Sequence, residues 1–301
     1  MGTKPGIRLG ANRYGKAENR VVVVRRHSDR HEIKDLNVSV ALSGDMTDAH
    51  LSGDNSKVLP TDTQKNTVFA FARKHGIGEI EEFAIILAKH FVDSQPSVHQ
   101  ARVAVDEYAW DRIVLPGNGV AHSFARSGTA AVRTAVVHYD GLNAHVVSGI
   151  KDLVVLNTTG SEFWGFLTDE LTTLKETNDR ILSTVVTAGW RHADTAADPH
   201  RTDWASSFRE AGHHLLTAFA DTHSYSLQQT LYAMGTRVLE HRPELCEVRL
   251  ELPNKHHFVV DLTPFGLDNS NEVFIAADRP YGLMEGSVLR DEAPDAGPAW
   301  S

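Results

Sequence analysis

The 301-residue chain carries 39 acidic and 30 basic side chains, a formal net charge of −9 at pH 7. That balance excludes a general attraction to nucleic acid or to an anionic membrane, so an anionic ligand needs a local positive spot, for which Arg180 and Lys16 are candidates. The single cysteine, Cys246, excludes an intrachain disulfide framework and any multi-cysteine zinc or iron–sulfur site.

Taken in order, residues 1–12 are unpatterned and read as a flexible tail. The β-branched run Val21 to Val24 predicts a strand over 20–26. Leu36, Val38, Val40 and Leu42 alternate with Asn37, Ser39 and Ala41, which predicts a second strand, paired with the first as a hairpin. Residues 44–60 are polar and read as a loop. Thr61, with Gln64 three residues on, marks a helix start with threonine as the cap; the helix runs to Lys74 with Val68, Phe69 and Ala72 buried. His75-Gly76-Ile77-Gly78 ends it, and a second helix from Glu79 presents Phe83, Ile86, Leu87 and Phe91.

Strand patterns return at 100–110, 122–139 and 143–156, with Gly141 at a turn. The second half repeats the order: a strand at 180–190, a polar loop at 191–203, helices at 203–221 and 226–241, strands at 247–252 and 256–262 joined by a Pro253-Asn254 turn, and a short strand at 272–276. This is an α+β chain made of a tandem duplication, each half an antiparallel sheet with a pair of helices on one face. The division falls at 13–142 and 143–290, with a flexible tail over 291–301.

The chemistry begins in the stretch 161–184, SEFWGFLTDELTTLKETNDRILST. Three aromatics in four positions (Phe163, Trp164, Phe166) and an arginine, Arg180, suit a site that stacks on a planar anionic heterocycle and grips its edge with two hydrogen bonds. Core packing with a surface arginine accounts for the same residues. No dinucleotide, Walker-type or nucleophile-elbow motif is present. Of the 17 histidines, none forms a His-Glu-x-x-His pair; His213-His214 and His256-His257 are adjacent and diverge, so no metal site is predicted. Lys16, Thr61, Asn254, His256 and Gln228 stand near predicted element ends, and each alone reads as an ordinary surface, capping or turn residue.

Together they carry more. Tyr14-Gly15-Lys16, Thr61-Asp62-Thr63-Gln64-Lys65-Asn66-Thr67, the 161–184 stretch, Leu227-Gln228 with Thr230 and Tyr232, and Leu252-Pro253-Asn254-Lys255-His256 occur in the order found in urate oxidases, and over 12–290 the chain resembles that family. The resemblance implies two tandem T-fold domains, and four chains forming a homotetramer whose tunnel-forming barrel has active sites at subunit interfaces. It implies that Lys16 and Thr61 form a catalytic dyad, drawn from different chains, and that His256 assists proton transfer. It implies that Phe163 stacks on the purine and that Arg180 and Gln228 grip its edges. Asp62 and Leu227 would supply mainly backbone N–H groups, Leu174 an apolar wall, and Asn254 a hold on dioxygen or water.

The implied reaction converts urate, O2 and H2O into 5-hydroxyisourate and hydrogen peroxide, with no metal and no flavin. Leu227 stands where the family commonly has a smaller β-branched residue. The rival readings are a non-oxidase T-fold purine or pterin enzyme and an inactive purine-binding relative. The N-terminus has no apolar core of signal-peptide length, no segment is long enough to span a membrane, and the chain does not end in a peroxisomal tripeptide; together these predict a cytoplasmic protein.

Overall fold

A computed structural model describes residues 6–28, 30–118 and 121–301. The first hairpin forms as the alternation dictates: strand β1 (Tyr14–Arg25) pairs antiparallel with β2 (Glu32–Gly44), and Leu36, Val38, Val40 and Leu42 are all buried. The first strand starts six residues earlier than its apolar run suggests, which puts Lys16 inside it. A bulge hides that start. The register shifts between Lys16 and Asn19, Glu18 takes a left-handed φ of 56°, and the buried Asn19 amide donates to Val38 O (2.9 Å) and Lys16 O (3.3 Å).

A five-residue helix, α1 (Thr47–Leu51), interrupts the loop, and helices α2 (Thr61–Lys74) and α3 (Ile80–Ser94) follow. Thr61 is not the cap of α2: Pro60 holds that position and no side chain caps the helix. Phe69 is 43% exposed, and Gln64, Val68 and Ala72 make the buried stripe instead.

Strands β3 (Val98–Tyr108), β4 (Trp110–Arg112), β5 (Phe124–Arg126), β6 (Val132–Tyr139) and β7 (Ala144–Asn157) come next. The pattern over 122–139 is thus two strands, and β5 pairs with β4 in a separate ribbon. The second half supplies β8 (Leu182–His192), α4 (Trp204–Asp221), α5 (Leu227–His241), β9 (Leu245–Val259) and β10 (Phe274–Leu289). Strand β9 runs straight through Pro253-Asn254, where a turn is predicted. Proline lacks an N–H, and the β8–β9 pairing is interrupted between Thr184↔Asn254 and Thr187↔Glu251, where that loss is accommodated. The last strand runs well past the predicted 272–276.

Among the described residues one antiparallel sheet has the order β1-β2-β3-β6-β7-β8-β9-β10. The order strand, strand, helix, helix, strand, strand therefore occurs twice. Each half has its own core: α2 and α3 over β1, β2, β3 and β6, and α4 and α5 over β8, β9 and β10. The hairpin joining β6 to β7 turns at Gly141, whose φ of 92° favours glycine. Trp204, at the start of α4, is buried in the first core, so both helix pairs lie on the same face. None of the described helices is long and apolar enough to cross a membrane.

A buried polar cluster sits where the halves meet. Ser148 donates to Glu81 Oε1 (2.7 Å) and lies 3.1 Å from His192 Nε2, while Arg133 donates to Glu81 Oε2 (2.7 Å). Burial raises the Glu81 pKa against the pull of Arg133, and burial, with Arg201 and Arg242 nearby, lowers His192 to about 3.

Residues 291–301, read from the sequence as a flexible tail, are seated on the sheet. Arg191 donates to Pro294 O (2.9 Å), Trp300 packs on Gly189 and under the Arg249 guanidinium (4.2 Å to the ring centroid), and Arg102 Nε donates to Ser301 O (3.0 Å). Three scattered arginines make that contact, and no periodic pattern announces it.

Candidate active site

The sequence-predicted residues fall into two groups. The first lies where β1 meets α2. Tyr14 Oη donates to Leu59 O (3.1 Å) and accepts from Leu59 N (3.0 Å), which clamps the chain as it enters the helix. The fully buried Gln64 amide donates to the same carbonyl (3.2 Å). With Pro60 as cap, the Thr61 hydroxyl is not committed to capping. Asp62, second in the helix, accepts from Lys65 and Asn66. Those bonds, Lys65 first, and the nearby positive charge of Lys16 hold its carboxyl below the usual range. Lys16 and the start of α2 are therefore neighbours within one chain. The expectation that Lys16 and Thr61 come from different chains is corrected by this placement: the Tyr14 clamp draws the lysine strand and the threonine helix together.

The second group belongs to the other half. Its hub is the segment 160–163, which makes short ladders in two directions. Toward α5, Glu162 N donates to Ser224 O (2.7 Å) and Ser224 N to Gly160 O (2.9 Å). Toward β8, Phe163 and Thr177 exchange backbone bonds (2.8 and 3.0 Å), and Arg180 N donates to Ser161 O (2.9 Å).

Arg180 is half-buried, and its Nε donates to Ser161 Oγ (3.2 Å) while its guanidinium lies over the Phe163 ring at 5.1 Å. Among the described residues no carboxylate pairs with it, and burial alone lowers its pKa. A partly desolvated cation without an anion is set up to receive one. Phe163 stacks on Phe166 at 5.0 Å and 16°.

Ser226 caps α5, accepting from Gln229 N (3.2 Å), and so places Leu227, buried, and Gln228, exposed, at the first two helical positions. There the backbone N–H groups lack helical partners. On β9, Asn254 is buried and pairs with Thr184, whose buried hydroxyl has no hydrogen-bond partner among the described residues. His256, two residues on, has its pKa lowered by burial first, then by the charges of Arg180 and His257. It therefore enters neutral pH as a neutral imidazole able to accept or donate a proton. Leu174 is 56% exposed, on a segment where Leu167 and Leu171 also stand clear of the chain.

No hydrogen bond or ring contact among the described residues links the two groups. Lys16 is on β1 and His256 on β9, six strand steps apart in the sheet, or roughly 29 Å at about 4.8 Å per step. Sequence reasoning missed Ser161, Ser224, Thr184 and the Glu162–His223 contact (2.7 Å). Ser161, Glu162 and Thr184 lie within the 161–184 stretch, which was the only hint at any of them.

The pattern of the family described as Uricase matches residues 12–137 and 146–285. The chain belongs to the uricase family. It is 50% identical to the uricase of Arthrobacter globiformis over 300 residues, covering 100% of this chain and 95% of that protein, and 38% identical to the Dictyostelium discoideum uricase, covering 94% and 97%. The crystal structure of uricase from Arthrobacter globiformis superposes with a TM-score of 0.91 at 49% identity, covering 99% of each chain. Urate oxidase from Bacillus sp. TB-90, at 22% identity and a TM-score of 0.80, shares the fold. Membership of the uricase family fits an α+β chain with an antiparallel sheet under two helix pairs, and it favours neither rival reading.

Proposed function

We propose that the urate oxidase activity of this chain runs at a composite site, completed when the Lys16–Thr61–Asp62 group of one copy meets the Phe163–Arg180–Gln228–His256 group of another. The chain is a urate oxidase: it oxidises urate with O2 and H2O to 5-hydroxyisourate and hydrogen peroxide. The observation that supports a composite site is the separation of the two groups within one chain, together with the unpaired Arg180 in one and the uncommitted Thr61 hydroxyl in the other. The assembly we propose is a homotetramer forming a barrel around a tunnel, built of T-fold halves divided near 142.

At that site Phe163 stacks on the purine plane, and Arg180 and Gln228 hold its edges. The N–H groups of Asp62 and Leu227 add contacts, and Leu174 covers an edge. Lys16, relayed through Thr61, takes a proton from bound urate, which leaves an anion rich enough in electrons to reduce dioxygen without a cofactor. Asn254 holds dioxygen or water above the ring, and His256 moves the proton that hydration requires.

The test is complementation. Lys16→Met and Arg180→Gln should each be inactive when expressed alone. Co-expressed, they form mixed oligomers in which some interfaces carry an intact pair of groups, so part of the activity returns. Activity is read as urate consumed and peroxide formed by EDTA-treated protein. Mixed oligomers with no recovered activity would show that the groups do not act across copies.

A further inference from the structure

We propose that Ser161 is a positioning residue for Arg180, setting the direction of the guanidinium that grips the substrate. This inference rests on the reading of Arg180 as the urate grip. Ser161 is fully buried, yet its hydroxyl faces a charged side chain: Arg180 Nε donates to Ser161 Oγ at 3.2 Å, while Arg180 N donates to Ser161 O at 2.9 Å. The same residue thus holds both ends of the arginine, backbone and guanidinium. With Nε occupied, the two terminal nitrogens have no hydrogen-bond partner among the described residues, and the ring of Phe163 against the guanidinium limits the plane they can take.

Ser161 has a second tie. It forms a parallel bridge with Ser224, whose hydroxyl donates to Ser226 O (3.0 Å) and accepts from Thr230 Oγ1 (2.8 Å). Ser226 is the cap that places Gln228. One buried serine therefore fixes the arginine directly and fixes its spacing from the glutamine through a short backbone ladder. A guanidinium with no carboxylate partner and several rotatable bonds would otherwise sample many directions, and each lost hydrogen bond of this charged kind weakens a fixed geometry.

The experiment is a double-mutant cycle on urate binding, measured by calorimetry without oxygen, with steady-state kinetics in air alongside. Ser161→Ala should weaken urate binding and raise KM by about tenfold, with kcat changed much less, because the grip acts in ground state and transition state alike. Arg180→Lys has no Nε–H. It should bind urate more weakly than the parent, and on that background Ser161→Ala should add little.

An equal penalty from Ser161→Ala in both backgrounds would overturn the proposal, as would a fall in kcat and thermal stability with KM unmoved. Undiminished urate binding by Arg180→Lys itself would overturn the reading of Arg180 and not merely that of Ser161. Should the alanine variant fail to fold, Ser161→Cys, close in size but a weak acceptor, is read against the same outcomes.

Discussion

Gly15 offers the sharpest test of how the fold holds the lysine. A Cβ added at Gly15 would lie 1.8 Å from Val40 O and 2.7 Å from Ala41 Cα, both backbone atoms that no rotamer change can move. An ordinary carbon–oxygen approach is about 3.3 Å, so Gly15→Ala must part β1 from β2 by roughly 1.5 Å at this point. A bond of about 2.9 Å stretched that far no longer counts as a hydrogen bond, and overpacking of this kind costs about 1–3 kcal/mol. The neighbours suffer most: Tyr14 clamps Leu59 ahead of α2, and Lys16 sits beside Asp62. A misplacement of about 1 Å in a reacting group can cost about a hundredfold in rate.

Gly15→Ala should therefore lower kcat by about a hundredfold and lower Tm by several degrees. Anaerobic urate binding should hold up far better, since Phe163 and Arg180 lie in the other half. Urate consumption, calorimetric melting and anaerobic titration measure the three, with Gly10→Ala as control, because nothing lies within 4 Å of that Cβ. A variant with the parent's kcat and Tm would refute the reasoning.

Gly212→Ala, inside α4 with nothing within 4 Å of the new Cβ, should raise stability by about 0.5–1 kcal/mol, visible as a higher Tm with unchanged kinetics. Trp300→Ala, which removes the contacts with Arg249 and Gly189, should cost roughly 2 kcal/mol, less than a fully buried tryptophan, and leave KM alone; an unchanged Tm would mean that the tail does not clasp the sheet.

Acid should destabilise the protein well above the carboxylate range. Burial, with neighbouring arginines, lowers His138 to about 4 and His192 to about 3, so the unfolded chain binds more protons than the folded one below about pH 6.5. Stability should fall as pH drops from about 6.5 toward 4, although Glu81, whose pKa burial raises, works in the opposite sense. Proton uptake on unfolding, measured calorimetrically near pH 5, checks this, and a Tm that is flat between pH 7 and 5 would contradict it.

The regular parts of the fold were legible because burial writes itself as period. The alternation from Leu36 to Leu42 gave β2, and the apolar spacing in α2, α3, α4 and α5 placed those helices within a residue or two. Failures cluster where the backbone departs from a plain ladder. The start of β1 was lost at the Lys16/Asn19 bulge, and β9 was cut in two at Pro253-Asn254. The end of β10 was lost beyond Ala277, where five residues up to Gly282 oppose the stretch from His256 to Asn254.

These same irregularities carry Lys16, Asn254 and His256. A regular strand turns alternate side chains to core and solvent, whereas a bulge or a break re-aims one of them at neither. Residues that must face a ligand fit the second geometry. So the features that defeated periodicity carry residues of the proposed site, and those residues could be named only through the family likeness. The likeness includes Ser161 in its longest stretch but implies no role for it. The contributions of Ser161 are bonds to a residue nineteen positions away, through both backbone and side chain, and a bridge to Ser224, relations that exist only once the chain has folded.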